Sequence, residues 1–390
     1  MKTATKSSMG LLAVILISYA VVGFPDGSFT MSWLGIEEDL YLTLAHSGYI
    51  LVGYSVAYTL AGVILSWLNR FMKLQTVYFW GLVVMGLGFI GLALSPNFAV
   101  LLAFIAIYGF GTGAMAASMN SYMAKHFTAR HNNWMHCFWG GGATLSPLIM
   151  SHMMAVLSWR AGYYVIASIV GVVAIILLIS MYKRVWINDE DVTIQEKAES
   201  TVTKKRYLTK KWHQVVEVLT FFFLGGTDYT LVFFTVDVLV GRGLRPEAAA
   251  LFPAVYYACM TAGRMFFGWV AKWVKEVPII RIGCGIALAG VGILYITGNI
   301  VGMAMTGFGL APLLPTLVSD TSNRFTPRVI SKLVGYELAA FGAGIAVLFF
   351  MTSQILEYVS LEALFPIGLA FIVLVFICNE VLVRAVNSKD

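Results

Sequence analysis

The 390-residue chain is 59% hydrophobic and only 12% charged, and its formal net charge is +6. Soluble globular domains have about 25% charged residues. These values therefore exclude an ordinary soluble domain and indicate a protein whose solvent is largely lipid. The basic residues lie between apolar runs, which argues against a nucleic-acid-binding surface.

Twelve apolar runs are long enough to cross a hydrocarbon core, which takes about 20 helical residues each. In chain order they cover residues 10–33, 45–69, 75–95, 98–121, 132–157, 162–182, 213–240, 247–271, 278–297, 299–320, 331–355 and 362–384. Residues 183–212 are strongly charged and lack an apolar period, so we interpret them as a cytoplasmic linker. It would join an N-terminal bundle of residues 1–182 to a C-terminal bundle of residues 213–390.

Positively charged residues predict the topology of these spans. With the N-terminus in the cytoplasm, the inner segments contain 22 Lys and Arg residues and the outer loops contain three. The sequence therefore predicts an all-α membrane protein with twelve transmembrane helices in two pseudo-symmetric six-helix bundles. Both termini would face the cytoplasm, and the expected location is the cell membrane.

The two predicted bundles also resemble each other in sequence. The segment AGVILSWLNRFMK at residues 61–73 is similar to AGRMFFGWVAKWVK at residues 262–275, with an offset of 202 for its Trp and basic positions. GFG and FTAR at residues 109–111 and 127–130 reappear as GFG and FTPR, 198 residues later. Internal repeats of this size are typical of transporters.

Twelve spans, a six-plus-six repeat and a long central loop resemble the major facilitator superfamily. In the second loop, Gly62 and Arg70 fit the family signature GxLaDrxGrr, but Ser66 stands where its acid is expected. That acid normally helps to hold the two halves together, so the resemblance implies a gating role for Arg70 but no complete latch.

Several further segments resemble a sugar-transporter branch that includes the fucose–proton symporter and sodium–glucose carriers. They are GFPDGSFTMSW, MNSYMAKHFTARHNNWMHCFWGGGA, WRAGYY, AGRMFFG and GFGLAPLLPTLVS. The resemblance implies alternating access coupled to a cation gradient, with a proton expected rather than sodium. It also implies that a small-molecule solute is the principal partner, and we expect a monomer in lipid.

Ionisable residues inside spans are costly and mark functional sites. Asp26 is the first candidate for proton coupling, because Pro25 and Gly27 can break the first span beside it. Asp228 lies 202 residues later, at a comparable depth of the seventh span. Asp26 could instead be the capping residue of a structural, helix-breaking turn, and Asp228 could instead be solvated at the outer vestibule. Glu217 and Glu380 lie near cytoplasmic ends and are expected at the membrane interface.

Arg264 lies inside the eighth span and requires a counter-charge. An acid of the seventh span or Glu337 of the eleventh could supply it, as a gating ion pair or as a fixed structural pair. Sugar hydroxyls bind polar groups while sugar rings stack on aromatic side chains. The predicted substrate-binding residues on this basis are Asn120, His136, Trp139, Tyr229, Tyr256, Tyr257 and Glu337.

Neither zinc-ligand spacing nor a Walker loop occurs in the sequence, so no metal, cofactor or enzymatic activity is expected. The function predicted first is proton-coupled transport of a small polar solute, with a sugar as the leading candidate. A proton-coupled exporter of amphipathic compounds is the alternative, since aromatic residues and 18 methionines also suit such solutes. A membrane receptor is disfavoured because the loops are short.

Overall fold

The structure is a computed structural model, and it describes residues 6–68, 71–127, 129–183, 185–186, 208, 210–249 and 251–388. Arg70 and most of the predicted linker, residues 183–212, lie outside the described residues. Within them the chain is almost wholly α-helical, as the apolar runs predict. The helices divide into two compact units.

The N-terminal unit comprises the described parts of Met1–Leu42 and Gly53–Glu199. Its helices follow the predicted spans closely, and the first span is divided by a short 3-10 turn, Val21–Gly23. The helices are α1 Lys6–Ala20, α2 Phe24–Asp39, α3 Leu44–Leu68, α4 Leu74–Leu94, α5 Phe98–His126, α6 Ala129–Val156 and α7 Trp159–Tyr182.

The C-terminal unit comprises the described parts of Thr43–Val52 and Ser200–Asp390, so the first turns of α3 pack with it. Its tenth predicted span is divided in two before Leu313, where Pro312 cannot donate a backbone hydrogen bond. The helices are α8 Lys211–Gly241, α9 Pro246–Ala249, α10 Leu251–Val270, α11 Glu276–Thr297, α12 Ile300–Leu310, α13 Leu313–Arg324, α14 Pro327–Tyr358 and α15 Leu364–Asn387.

Each of the twelve predicted spans overlaps a helix, but not all are equally apolar. Among the described residues, ten helical stretches are long and apolar enough to cross a membrane. Helices α6 and α10 are outside that set, because polar residues such as His136 and Arg264 lower their hydropathy. The count of twelve spans and the cytoplasmic position of both termini therefore stay predictions.

Close helix contacts at glycines reproduce the sequence repeat inside each unit. A Cβ on Gly142 would lie 1.8 Å from the backbone oxygen of Ala20, and a Cβ on Gly344 would lie 1.8 Å from that of Phe222. These two contacts are related by an offset of 202 residues at both partners. Helix α6 thus packs on α1 as α14 packs on α8.

A second pair of contacts relates α3 and α5 to α10 and α12. A Cβ on Gly109 would lie 3.0 Å from the backbone oxygen of Tyr54, and one on Gly307 would lie 2.4 Å from that of Tyr256. Tyr54 and Tyr256 are again 202 residues apart, while the two glycines keep the offset of 198. The two units therefore share one internal packing scheme, which identifies equivalent positions within each.

Candidate functional site

Asp26 lies in the first turn of α2, directly after the 3-10 turn that interrupts the first span. Pro25 occupies the start of α2, where its missing N–H costs no helical hydrogen bond. Gly27 packs tightly, since a Cβ there would lie 2.4 Å from the backbone oxygen of Ala143 in α6. The local sequence thus breaks the helix and fixes the carboxyl at the break.

Tyrosine side chains from three helices of the N-terminal unit lie around Asp26. The carboxylate is within electrostatic range of the hydroxyls of Tyr19, Tyr54, Tyr58 and Tyr108. The Tyr54 ring centroid is 5.2 Å from that of Tyr108. We call these four residues the tyrosine cage, because their hydroxyls lie within electrostatic range of one carboxyl and can both donate and accept hydrogen bonds.

Tyr19 of α1 also connects two predicted substrate-binding residues to this cage. Asn120 of α5 donates through Nδ2 to the Tyr19 hydroxyl at 3.3 Å, and the same nitrogen lies 2.8 Å from the backbone oxygen of Ala116. The His136 ring of α6 meets the Tyr19 ring edge to face, with 5.8 Å between centroids. Asn120, His136 and Asp26 therefore share one neighbour that the sequence did not single out.

In the C-terminal unit, Asp228 of α8 accepts a hydrogen bond from the hydroxyl of Tyr256 in α10. Arg264, two turns further along α10, lies within electrostatic range of both groups. The Tyr257 ring meets that of Tyr256 at 5.4 Å in an edge-to-face arrangement. Four predicted residues thus lie close together. Of the two counter-charges expected for Arg264, the acid of the seventh span is the one within its electrostatic range.

Two other predicted residues, Tyr229 and Trp139, are partly exposed. Tyr229 follows Asp228 in α8. The backbone oxygen of Trp139 would lie 2.1 Å from a Cβ on Gly23, where α6 packs on the 3-10 turn. Arg70, the predicted gating residue, lies outside the described residues.

Glu337 lies in a separate buried cluster rather than near Arg264. Its Oε1 accepts from the Thr321 hydroxyl at 2.9 Å, and Thr321 also lies 3.3 Å from Oε1 of Glu217. Arg324 pairs with Glu217 at 3.1 Å and with Asp320 at 2.6 Å. We call these five residues the carboxylate cluster.

The carboxylate cluster corrects one sequence-based expectation. Glu217 was expected at the membrane interface, but its side chain is completely buried. Arg324, one of the 22 basic residues assigned to the inner segments, is 2% exposed and lies in the last turn of α13. Both residues lie near a helix end by sequence but are covered by α14 and α15.

Sequence reasoning also missed Tyr54 and Asp320, although signals for both existed. Tyr54 stands 202 residues before Tyr256, so the repeat that relates Asp26 to Asp228 also relates their tyrosine partners. Asp320 precedes Arg324 by four residues, which is the spacing of an ion pair on one helix face. Among the described residues, no group of three or more His, Cys, Asp or Glu side chains is arranged to hold a metal ion.

One protein-family model matches most of the chain. Residues 15–347 match a family model described as Major Facilitator Superfamily. No curated protein sequence matches the chain.

Several solved structures have a similar fold. The nucleoside transporter NupG matches with a TM-score of 0.73 and 13% identity, covering 95% of this chain and 99% of that one. A bacterial homologue of the human lysosomal transporter Spinster matches with 0.73 and 14%, covering 98% and 97%. The transporter FucP matches with 0.61 and 15%, covering 97% and 99%. At these identities the likeness shows the fold and does not select a sugar branch.

Proposed function

The chain belongs to the major facilitator superfamily, and on that premise we propose that it is a proton-coupled secondary active transporter. Its solute is a small polar molecule, with a sugar as the first candidate, and it moves by alternating access. In this proposal the protein is a monomer in the cell membrane, with twelve spans and both termini in the cytoplasm.

The observation that carries the proposal is a carboxyl placed beside tyrosine hydroxyls at equivalent positions of both units. Asp26 lies within electrostatic range of Tyr54, and Asp228 accepts a hydrogen bond from Tyr256. An intramembrane carboxyl is retained where it has a function that outweighs the cost of its insertion. Two such carboxyls at a repeat offset of 202 support a role in binding a proton or a polar solute.

In the proposed mechanism Asp26 exchanges the coupling proton, because the tyrosine cage can hydrogen-bond to either of its protonation states. Asp228 is the second coupling carboxyl, and Arg264 nearby stabilises its anion until a proton or solute replaces that interaction. Asn120 and His136 would bind solute hydroxyls. The rings of Trp139, Tyr229 and Tyr257 would contact the apolar faces of the solute.

The tyrosine cage also favours a second candidate function. Aromatic faces attract organic cations, and Tyr54, Tyr58 and Tyr108 place three rings close together, with centroids 5.2 and 5.9 Å from that of Tyr54. A proton-coupled exporter of amphipathic cations would use Asp26 in the same position. Protons would then enter as the compound leaves.

Transport by purified protein in liposomes tests the proposal. A panel of sugars, nucleosides and amphipathic cations would be offered with an imposed pH gradient while a trapped dye reports proton movement. Symport predicts that one solute accumulates and carries protons in the same direction. Proton movement opposite to the solute would support the exporter, and dependence on sodium without an effect of pH would replace the proton as coupling ion.

Asp26→Asn should reduce gradient-driven accumulation at least about tenfold, which corresponds to about 1.4 kcal/mol. It should leave solute exchange without a gradient intact, because exchange needs no net proton release. Asp237→Asn, the same change near the C-terminal end of α8, is the matched control, and this variant should accumulate solute normally. If Asp26→Asn accumulates solute like the unmodified protein, Asp26 is not the coupling group.

A further inference from the structure

The carboxylate cluster contains more buried negative charge than its one described guanidinium can neutralise. Glu217 and Glu337 are completely buried, and Asp320 and Arg324 are 5% and 2% exposed. If all three acids were ionised, the group would have a net charge of −2. Uncompensated buried charge costs several kcal/mol per ion in proteins, so a neutral form of one acid is strongly favoured.

The hydroxyl of Thr321 shows where a proton is required. Its Oγ1 lies 2.9 Å from Glu337 Oε1, 3.3 Å from Glu217 Oε1 and 3.1 Å from the backbone oxygen of Leu317. A hydroxyl has one hydrogen to donate but can accept two hydrogen bonds. With both glutamates ionised, two of these three oxygen contacts would lack a hydrogen. A proton on one glutamate would let that acid donate to Thr321.

Glu337 is the acid that fits this proton. Arg324 pairs with Glu217 at 3.1 Å and with Asp320 at 2.6 Å, which stabilises both as anions. Glu337 makes no ion pair with any described residue, and its buried Oε2 has no hydrogen-bond partner among them. A protonated carboxyl needs neither an ion pair nor a second strong donor, so the contacts around Glu337 suit its neutral form.

The groups on every helix packed around Glu337 support this assignment. Helix α8 contributes Glu217, and α13 contributes Asp320, Thr321 and Arg324. Helix α15 contributes Asn379, whose Oδ1 accepts from Arg324 at 2.5 Å. The neighbouring Glu380 pairs with Arg281 of α11 at 2.7 Å and therefore adds no net charge. Cys378 of α15 lies near Glu217 and is neutral as a thiol.

The N-terminal unit shows that the fold does not require charge at this place. By the offset of 202, the positions equivalent to Glu217 and Glu337 are Ile15 and Met135, and both are completely buried. By the offset of 198, Asp320 corresponds to Tyr122, which is 2% exposed. Apolar side chains of similar size commonly replace buried ion pairs without loss of stability. The charges of the C-terminal unit therefore point to a role other than packing.

We propose that Glu337 is a proton-binding site, held neutral by Thr321 and by the Arg324 pairs, and separate from Asp26 and Asp228. The site goes beyond the proposed function and does not depend on it. A proton is preferred to a metal cation because Arg324 repels cations and the described acids form no metal-ligand group. Loss of the proton places like charges on both sides of Thr321 and loosens the packing of α14 on α8 and α13.

Infrared difference spectroscopy of the purified protein tests this site without any transport assay. A protonated carboxyl has a carbonyl stretch that is distinct from that of a carboxylate and shifts in heavy water. We expect such a band in the unmodified protein, its loss at high pH, and a weaker band in Glu337→Gln, from which the contribution of one carboxyl is missing. Glu357→Gln is the matched control, because it makes the same change at the other end of α14 and should keep the band. Asp228→Asn should also keep it.

Thermal unfolding measured over a pH series is a second test, and it remains usable if a variant folds less stably. If Glu337 is neutral in the folded protein, this group binds one proton that it lacks in the unfolded chain near neutral pH, so its contribution to stability should fall as the pH rises. Glu337→Met, which copies the equivalent Met135, should fold and remove most of this dependence. The proposal is overturned if Glu337→Gln leaves the infrared band undiminished, or if Glu337→Met folds with an unchanged pH dependence. Neither measurement involves solute transport, so both results stand even if the proposed transport function is wrong.

Discussion

In the N-terminal unit Asp26 lies within electrostatic range of four tyrosine hydroxyls, whereas in the C-terminal unit Asp228 accepts a hydrogen bond from Tyr256 and lies within electrostatic range of Arg264. The Asp–Tyr pairs are equivalent by the repeat, but the residue that corresponds to Arg264 is Gly62. A guanidinium stabilises an adjacent carboxylate, while tyrosine hydroxyls bind either protonation state. The comparison therefore suggests a mobile proton at Asp26 and a switchable ion interaction at Asp228.

The two units differ in the same way at the carboxylate cluster. One unit buries Glu217 and Glu337, and the other buries Ile15 and Met135 at the equivalent positions. A shared packing scheme thus carries charge in one copy and apolar side chains in the other. Differences between equivalent positions locate the ionisable chemistry more sharply than either unit does by itself.

The largest expected effect comes from Arg264→Met, which removes the cation near Asp228 and keeps an unbranched side chain. A charged side chain without a counter-charge inside a membrane costs about 2.5–3.5 kcal/mol on insertion scales, so detergent unfolding should show a loss of up to that order. The double variant with Asp228→Asn should recover most of it, because the uncompensated carboxylate is then absent. Equal losses in the single and double variants would show that Arg264 acts on other groups.

Glycine substitutions test whether the packing scheme is equivalent in both units. Gly142→Ala and Gly344→Ala should each destabilise the protein by about 1–3 kcal/mol, because each Cβ would meet a backbone oxygen at 1.8 Å. Gly141→Ala and Gly342→Ala are the controls, since a Cβ at either position has no neighbour within 4 Å. A thermal-shift series on the four variants would contradict the equivalence if only one unit responded.

Replacing each aspartate's tyrosine partner compares the two hydrogen-bonding environments directly. Tyr256→Phe removes a hydrogen bond to a carboxylate. It should lower the free energy of unfolding, or raise the activation free energy of uptake, by about 1.5–3 kcal/mol. Tyr54→Phe should cost less, about 0.5–1.5 kcal/mol, because other hydroxyls of the tyrosine cage remain near Asp26. Uptake rates measured over a pH series test this ranking. A larger loss for Tyr54→Phe than for Tyr256→Phe would show that Asp26 depends on Tyr54 alone.

The smallest effect is expected for Asn120→Leu, which keeps side-chain volume and removes the hydrogen bond to Tyr19. Polar contacts between membrane helices contribute about 0.6 kcal/mol on average, so stability should change little. If Asn120 binds solute, the apparent affinity for the solute should fall while the number of protons moved per solute stays constant. A change in that proton number would instead place Asn120 in the coupling machinery.

Much of the fold was predictable because membrane insertion imposes a local rule. Apolar length alone located helices over all twelve predicted runs, and the offset of 202 relates the contact of Gly142 with Ala20 to that of Gly344 with Phe222. Part of the site was also predictable, since a buried acid or arginine stands out in an apolar run. Asp228, Tyr256 and Arg264 were all predicted as site residues from the sequence, and they lie close together in the structure.

Partner choice was not predictable for residues at helix ends. Glu217 and Arg324 look like interfacial or loop residues in sequence, because nothing local shows that α14 and α15 cover them. Glu337 was assigned to the solute, but its nearest described polar group is Thr321, sixteen residues earlier on another helix. Burial and pairing depend on which helices pack together, and that information is distributed over distant segments.

The sequence by itself determined the helical spans, the internal repeat and the small set of ionisable residues inside apolar runs. These properties depend on hydropathy and spacing along one chain segment at a time. Only the tertiary structure decided that tyrosines from three helices come within electrostatic range of Asp26 and that Thr321 lies between two buried glutamates. The physical reason is that a hydrogen bond or ion pair depends on distances of a few ångströms between helices, which residue order does not specify.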